Sequence, residues 1–184
     1  KTDPHYCGSL INLGFLYIQI GNYETAEQHL LEAKSIFEDS LNDTEHPYYV
    51  NCINGLAILY AAIGNFEKAE SFALQANDIW EKLLGKEDPD YAIGLLNLAS
   101  LYSEMGRFEK VESIYLEAAA IFEKVLGKEA PHYAMCLANL ANSYYETGQY
   151  EKSEPICLEA LALREKILGK EHPDYAFNLF NLGA

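Results

Sequence analysis

The chain has 184 residues, 28 acidic against 13 basic side chains and a formal net charge of -15. That balance argues against a nucleic-acid backbone or an anionic membrane as direct partner, since both need a basic face. Apolar residues make up 49% of the chain, enough for a continuous core, yet no run of about 18 of them is available to cross a bilayer.

In chain order the sequence is one unit written repeatedly. Pro-x-Tyr stands at Pro4-His5-Tyr6, Pro47-Tyr48-Tyr49, Pro89-Asp90-Tyr91, Pro131-His132-Tyr133 and Pro173-Asp174-Tyr175. A glycine follows each of the first four prolines at a fixed distance: Gly21, Gly64, Gly106 and Gly148, spaced by 43, 42 and 42 residues. A period of this size marks a solenoid of stacked supersecondary units. The expected architecture is an all-α, right-handed α-solenoid of helix-turn-helix repeats at about 4–46, 47–88, 89–130 and 131–172, with the first helix of a fifth at 173–184. Only Lys1-Thr2-Asp3 precedes the first repeat and the last stops at Ala184, without the polar capping unit a solenoid needs, so a longer parent protein is expected.

Each repeat predicts two helices, A and B. In the third, Asp88 is placed to cap helix A, with Pro89 at the first helical position where its missing N–H costs nothing. Leu95, Leu98, Ala99 and Tyr102 form one stripe of a 3.6-residue period, and Gly106 ends the helix where a left-handed residue is wanted. The same stripe reads Leu10, Leu13, Gly14, Tyr17 in the first repeat and Leu137, Leu140, Ala141, Tyr144 in the fourth. Helix B starts near Phe108, with Glu109 and Glu112 early and Lys124 and Lys128 late, as the helix dipole prefers. Most charge therefore belongs to helix ends rather than to a site. The loop Leu-Gly-Lys-Glu-x-Pro joins later repeats, while Leu41-Asn-Asp-Thr-Glu-His-Pro47 joins the first pair with one extra residue. Pro155 falls inside helix B of repeat four, where it removes a donor and crowds the carbonyl of Glu151, which predicts a local kink or an early wide turn.

The pattern Leu-x-x-Leu-Ala-x-x-Tyr, then Gly-x-Phe/Tyr-Glu-x-Ala/Val-Glu and a later alanine, resembles the tetratricopeptide repeat over the whole chain. The longer period and strings such as Leu-Gly-Lys-Glu-His-Pro-Asp-Tyr-Ala are similar to the 42-residue subclass typified by kinesin light chains, also found in long bacterial arrays. Some of those arrays are fused to CHAT caspase-like protease or nucleotide-binding signalling domains. The resemblance implies a non-catalytic protein-interaction module whose A helices line a concave groove. Its alternative is an accessory domain gating an effector such as a CHAT protease in the same polypeptide or complex. It also implies tolerance of proline at the Pro155 position.

Counting from each proline, the positions expected to face the groove are plus 4, 7, 8, 11, 14 and 15. They hold asparagines with apolar rungs between: Asn12, Phe15, Asn54, Ile58, Ile93, Asn97, Met135, Asn139, Asn142, Tyr145, Phe177 and Asn181 are the candidate partner-binding residues. An amide both donates and accepts, so a column of them can pair with the backbone of an extended peptide. The same column could instead bond neighbouring helices and fix repeat stacking, and the sequence leaves both open. No lysine or arginine lies on any A helix. The expected partner is a protein or peptide that is neutral, apolar or basic rather than acidic, with Glu104 and Glu146 as a mild acidic edge.

No catalytic residue, metal site or cofactor is expected. His132 and Cys136 lie four apart on one helical face, the spacing of a Cys-His pair, but no third group orients them. His46 and His172 read as helix caps, and Trp80 holds the place of Phe37 and Phe122 and reads as packing. Cys7, Cys52, Cys136 and Cys157 fall at small or apolar repeat positions, as core thiols in a reducing, cytoplasmic setting.

Overall fold

The computed structural model describes residues 3–171. They form α1 (Pro4–Gln19), α2 (Tyr23–Ser35) continuing into a π-helical turn (Ile36–Leu41), α3 (Pro47–Ala62), α4 (Phe66–Leu84), α5 (Pro89–Glu104), α6 (Phe108–Leu126), α7 (Pro131–Glu146) and α8 (Tyr150–Leu168). Odd-numbered helices are A helices and even-numbered ones B helices, and no strand occurs among the described residues. The fold is all-α, as the period predicts; the expected fifth A helix at 173–184 lies outside the described residues. The chain forms two compact units, one through Gly85 and one from Lys86.

Local chemistry sets the helix ends. Every A helix begins with proline, and the residue before it caps the first turn in three repeats: Asp3 accepts from the His5 N–H, His46 Nδ1 from Tyr48 and Asp88 from Asp90. Ala130 offers no such bond to α7. At the other end Gly21, Gly64, Gly106 and Gly148 take φ of 75°, 75°, 69° and 73°. The N–H of the residue after each glycine reaches back to a tyrosine carbonyl, as in Asn22 N→Tyr17 O at 2.9 Å and Gln149 N→Tyr144 O at 2.8 Å. This is a Schellman closure. Asn22 and Asn65 then cap the following B helix by accepting from Thr25 and Lys68, so one residue closes one helix and opens the next.

In the first unit Leu30, Phe37, Tyr49, Ile53 and Leu56 are fully buried; in the second Val111, Tyr115, Phe122 and Leu140 are. The A-helix stripe is core in α3, α5 and α7, but in α1 Leu13 is 39% exposed against 0% for its counterpart Leu56. α1, the first helix of the array, packs chiefly on α2 and α3. Trp80, like Phe37 and Phe122, is buried packing.

Two departures concern helix B. α8 is α-helical throughout with Pro155 inside it, so of the two expected outcomes, a kink or an early wide turn, the wide turn does not occur there. The bond that proline removes would have ended on Glu151, an exposed first-turn residue whose carbonyl can turn to water. The wide turn is found instead at the end of the first repeat, where Ile36–Leu41 is π-helical and Asp43 N closes onto Phe37 O at 3.1 Å. Asn42 follows at φ 50°, standing where later repeats have glycine; asparagine tolerates that left-handed conformation better than most side chains.

Candidate functional site

In the first unit the predicted groove positions on α1 and α3 come together. His5, Gly8, Ser9, Ile11, Asn12, Phe15, Tyr48 and Asn51 line a pocket of about 210 Å³. The α1 and α3 sequences contain no lysine, arginine, aspartate or glutamate, so this face is uncharged apart from any charge on histidine. Asn12 and Asn51 are exposed. Gly8 keeps the pocket open, because a Cβ there would lie 3.3 Å from the Tyr48 ring. Asn54, Ile58 and Phe15 are half-buried. Tyr48, His5 and Ser9 were not anticipated; the signal was an aromatic residue one place after the repeat proline, unique to Tyr48 among the repeats.

In the second unit Ile93, Asn97, Met135, Asn139 and Asn142 are half-buried and Tyr145 is 38% exposed. Asn139 interacts with the buried Tyr115 hydroxyl, which also shares a 3.0 Å hydrogen bond with Ser100. Asn142 Nδ2 donates to Glu146 at 3.0 Å, and Tyr145 meets Tyr150 edge-on at 5.5 Å. Part of the asparagine column thus binds internally. The plus 7 position is core in three repeats, where Ile11, Leu96 and Ala138 are buried, and half-buried in the second at Asn54, while Gly55 at plus 8 is buried. At Gly55 an added Cβ would come within 3.0 Å of Leu30 and 3.4 Å of Phe15, showing how closely neighbouring helices approach there. Phe177 and Asn181 lie outside the described residues.

The sequence reading missed a set of tyrosine–carboxylate clamps. Tyr6, Tyr49 and Tyr133, each two residues after the repeat proline, donate to Glu32, Glu38 and Glu159, at 3.0, 2.7 and 3.5 Å. A second row joins an A helix to the preceding B helix: Tyr60 donates to Glu27 and Tyr144 to Glu112. Lys68 sits 4.5 Å over the Tyr60 ring and Lys152 4.9 Å over that of Tyr144. Burial first, then the carboxylate partner, pushes the Tyr60 and Tyr144 hydroxyls up to about 12. These glutamates are cross-helix ties, and Glu27 and Glu112 lie near helix starts as well.

A tetratricopeptide repeat model matches residues 6–82 and 75–124, and another matches 134–174. The chain belongs to the tetratricopeptide repeat family. Repeats of this family generally serve protein–protein interaction. Among solved structures this tetratricopeptide repeat chain is similar to BtubC (BKLC) from P. vanneervenii, with 26% identity and a TM-score of 0.84 over 98% of this chain and 73% of that one. It is similar to a putative kinesin light chain from Podosopora anserina with nearly identical TPR-like repeats, at 26% identity and TM-score 0.81, covering 98% and 85%. A STAND protein with a tetratricopeptide repeat sensor from Pyrococcus horikoshii shares the fold, at 24% identity and TM-score 0.79, covering 96% and 26%. No curated protein sequence matches the chain.

In this tetratricopeptide repeat chain the four cysteines are buried thiols, not disulfide-bonded. Burial pushes those of Cys52 and Cys136 up to about 12, which disfavours the thiolate a nucleophile needs. Cys52 donates to the Leu30 carbonyl at 3.0 Å, and His132 stacks on Phe122 at 5.1 Å. Both members of the His132/Cys136 pair are thus engaged in packing. No cluster of three or more metal-ligating side chains occurs among the described residues.

Proposed function

We propose that this chain is a non-catalytic interaction module that binds a peptide or a partner-protein segment of neutral, apolar or basic character on the exposed faces of its A helices. The supporting observation is the α1–α3 face. It has no fixed charge, its 210 Å³ pocket joins the half-buried Phe15 and Tyr48 rings to the polar groups of His5 and Ser9, and the exposed amides of Asn12 and Asn51 flank it. Such a face offers backbone pairing to an extended segment and apolar burial to one side chain, and gives a carboxylate no lysine or arginine to pair with. Asn12, Phe15, Asn54 and Ile58 act in the first unit, and Ile93, Asn97, Met135, Asn142 and Tyr145 supply the second unit's face. Asn139 divides its role between that face and Tyr115. Four buried thiols suit a reducing, cytoplasmic setting. Titration against acidic, neutral and basic peptide pools tests the reading. Binding concentrated in the neutral and basic pools, and weakened about tenfold by Asn12→Ala with Phe15→Ala, is the expected result; preference for the acidic pool would sink it.

A further inference from the structure

The B-helix side of the first unit carries a cleft of about 640 Å³ between the π-helical turn, the loop that follows it and α4. Leu74 and Ile79 give it an apolar floor, and Glu38, Glu45, Asp78 and Lys82 stand around it. Leu74 is 42% exposed.

Comparing repeats shows why the cleft is open. In the second unit the loop lysine Lys128 pairs with Glu123 at 3.5 Å, and the loop glutamate Glu129 pairs with Lys166 of α8. Lys124 ties Glu87 in the same register. The equivalents in the first unit are Glu38 for Glu123 and Glu45 with Lys82 for Glu129 with Lys166. There the loop lysine is replaced by Asp43, Thr44 is inserted, and Asp78 stands where α6 and α8 have Ala120 and Ala162. Glu38 turns to Lys34 and Tyr49 instead. Among the described residues Glu45, Asp78 and Lys82 make no ion pair. The repeat-to-repeat changes therefore converge on one place, adding Asp43 and Asp78, removing the loop lysine and leaving Glu45 and Lys82 unbridged.

We propose that this cleft docks a basic amphipathic segment of a partner protein, with an apolar side chain on Leu74 and Ile79 and lysine or arginine side chains against Glu45 and Asp78. Charge complementarity selects that occupant, and a second copy of a chain carrying -15 is repelled by the same field. The site is separate from the A-helix face.

Fluorescence anisotropy of the full chain with a labelled lysine–leucine peptide of helical spacing tests it, with a glutamate–leucine peptide as control. The lysine peptide should bind with an affinity that falls as salt rises. Glu45→Lys with Asp78→Lys, both at exposed positions, should weaken it by about tenfold or more with helical content unchanged. Asp43→Lys, which restores the loop lysine, should weaken it in the same direction. Asn12→Ala with Phe15→Ala should leave it intact, which separates this site from the A-helix reading. Equal binding of the glutamate peptide, salt-independent binding, or unchanged affinity in the Glu45/Asp78 variant overturns the proposal.

Discussion

Replacing Tyr60 by phenylalanine removes one hydroxyl and keeps the ring. That hydroxyl donates to Glu27 across 33 residues of sequence, and the ring, 5% exposed, lies stacked on Phe72 at 5.6 Å with Lys68 over it. The packing terms survive the substitution. What is lost is a part-buried hydrogen bond to a charged acceptor, about 1.5–3 kcal/mol, with a 3.4 Å contact from Lys68 Nζ, and Glu27 is half-buried, which sets the expectation at the lower end, about 1.5–2 kcal/mol. For a chain of this size that lowers the thermal midpoint by about 3–8 °C. The assay is thermal or urea unfolding followed by circular dichroism on the wild type, Tyr60→Phe, Glu27→Gln and the double variant. A coupling energy above about 1 kcal/mol is expected. Additive effects, or a Tyr60→Phe change within about 0.3 kcal/mol, would show that the tyrosine acts only as core and refute the clamp.

Alkaline pH tests the whole set of clamps. A raised folded pKa means that the neutral tyrosine is stabilised by the fold, so the contribution is complete below the unfolded value near 10 and is lost as pH climbs toward the folded value of about 12 for Tyr60 and Tyr144. Unfolding midpoints should therefore drop between about pH 10 and 12, and drop less in Tyr60→Phe; a flat profile contradicts this. Asn77→Ala should stabilise. Asn77 is 7% exposed and neither amide atom has a hydrogen-bond partner, a burden of about 1–3 kcal/mol, part of which is offset by lost contacts, while Ala119 already occupies the same register in α6. A net gain of about 1 kcal/mol in urea unfolding is expected, and a loss would mean that the amide is satisfied. Gly106→Ala should cost about 1 kcal/mol or slightly more, because φ is 69° although nothing lies within 4 Å to clash.

The repeat boundaries were legible because they are local. Proline, aspartate and glycine act within one turn of themselves, so Pro89, Asp88 and Gly106 could be read without knowing what they pack on. His46 and Asn22 act the same way, and Trp80 could be placed by register alone. The clamps were invisible for the opposite reason. Tyr60 and Glu27 sit on different helices, and each satisfies a simpler local rule, tyrosine as stripe and glutamate as helix-start charge. Of the positions expected to face a groove, Asn12 is exposed and Phe15 and Asn97 are half-buried. Ile11, Leu96 and Ala138 were misplaced because counting around one helix ignores how closely the next A helix approaches. The π-helical turn at Ile36–Leu41 leads into the loop with one extra residue; the extra residue was visible in the sequence, but not that the helix would widen before it.

The central claim is that the A-helix faces are where a partner binds. Amide and side-chain chemical-shift mapping of the labelled chain, titrated with an uncharged extended peptide from the best-binding pool, tests it directly. Perturbations should centre on Asn12, Phe15, Asn51 and Ile58 in the first unit and on Asn97 and Asn142 in the second. Perturbations confined to the B helices, with those residues unmoved at saturation, would contradict it.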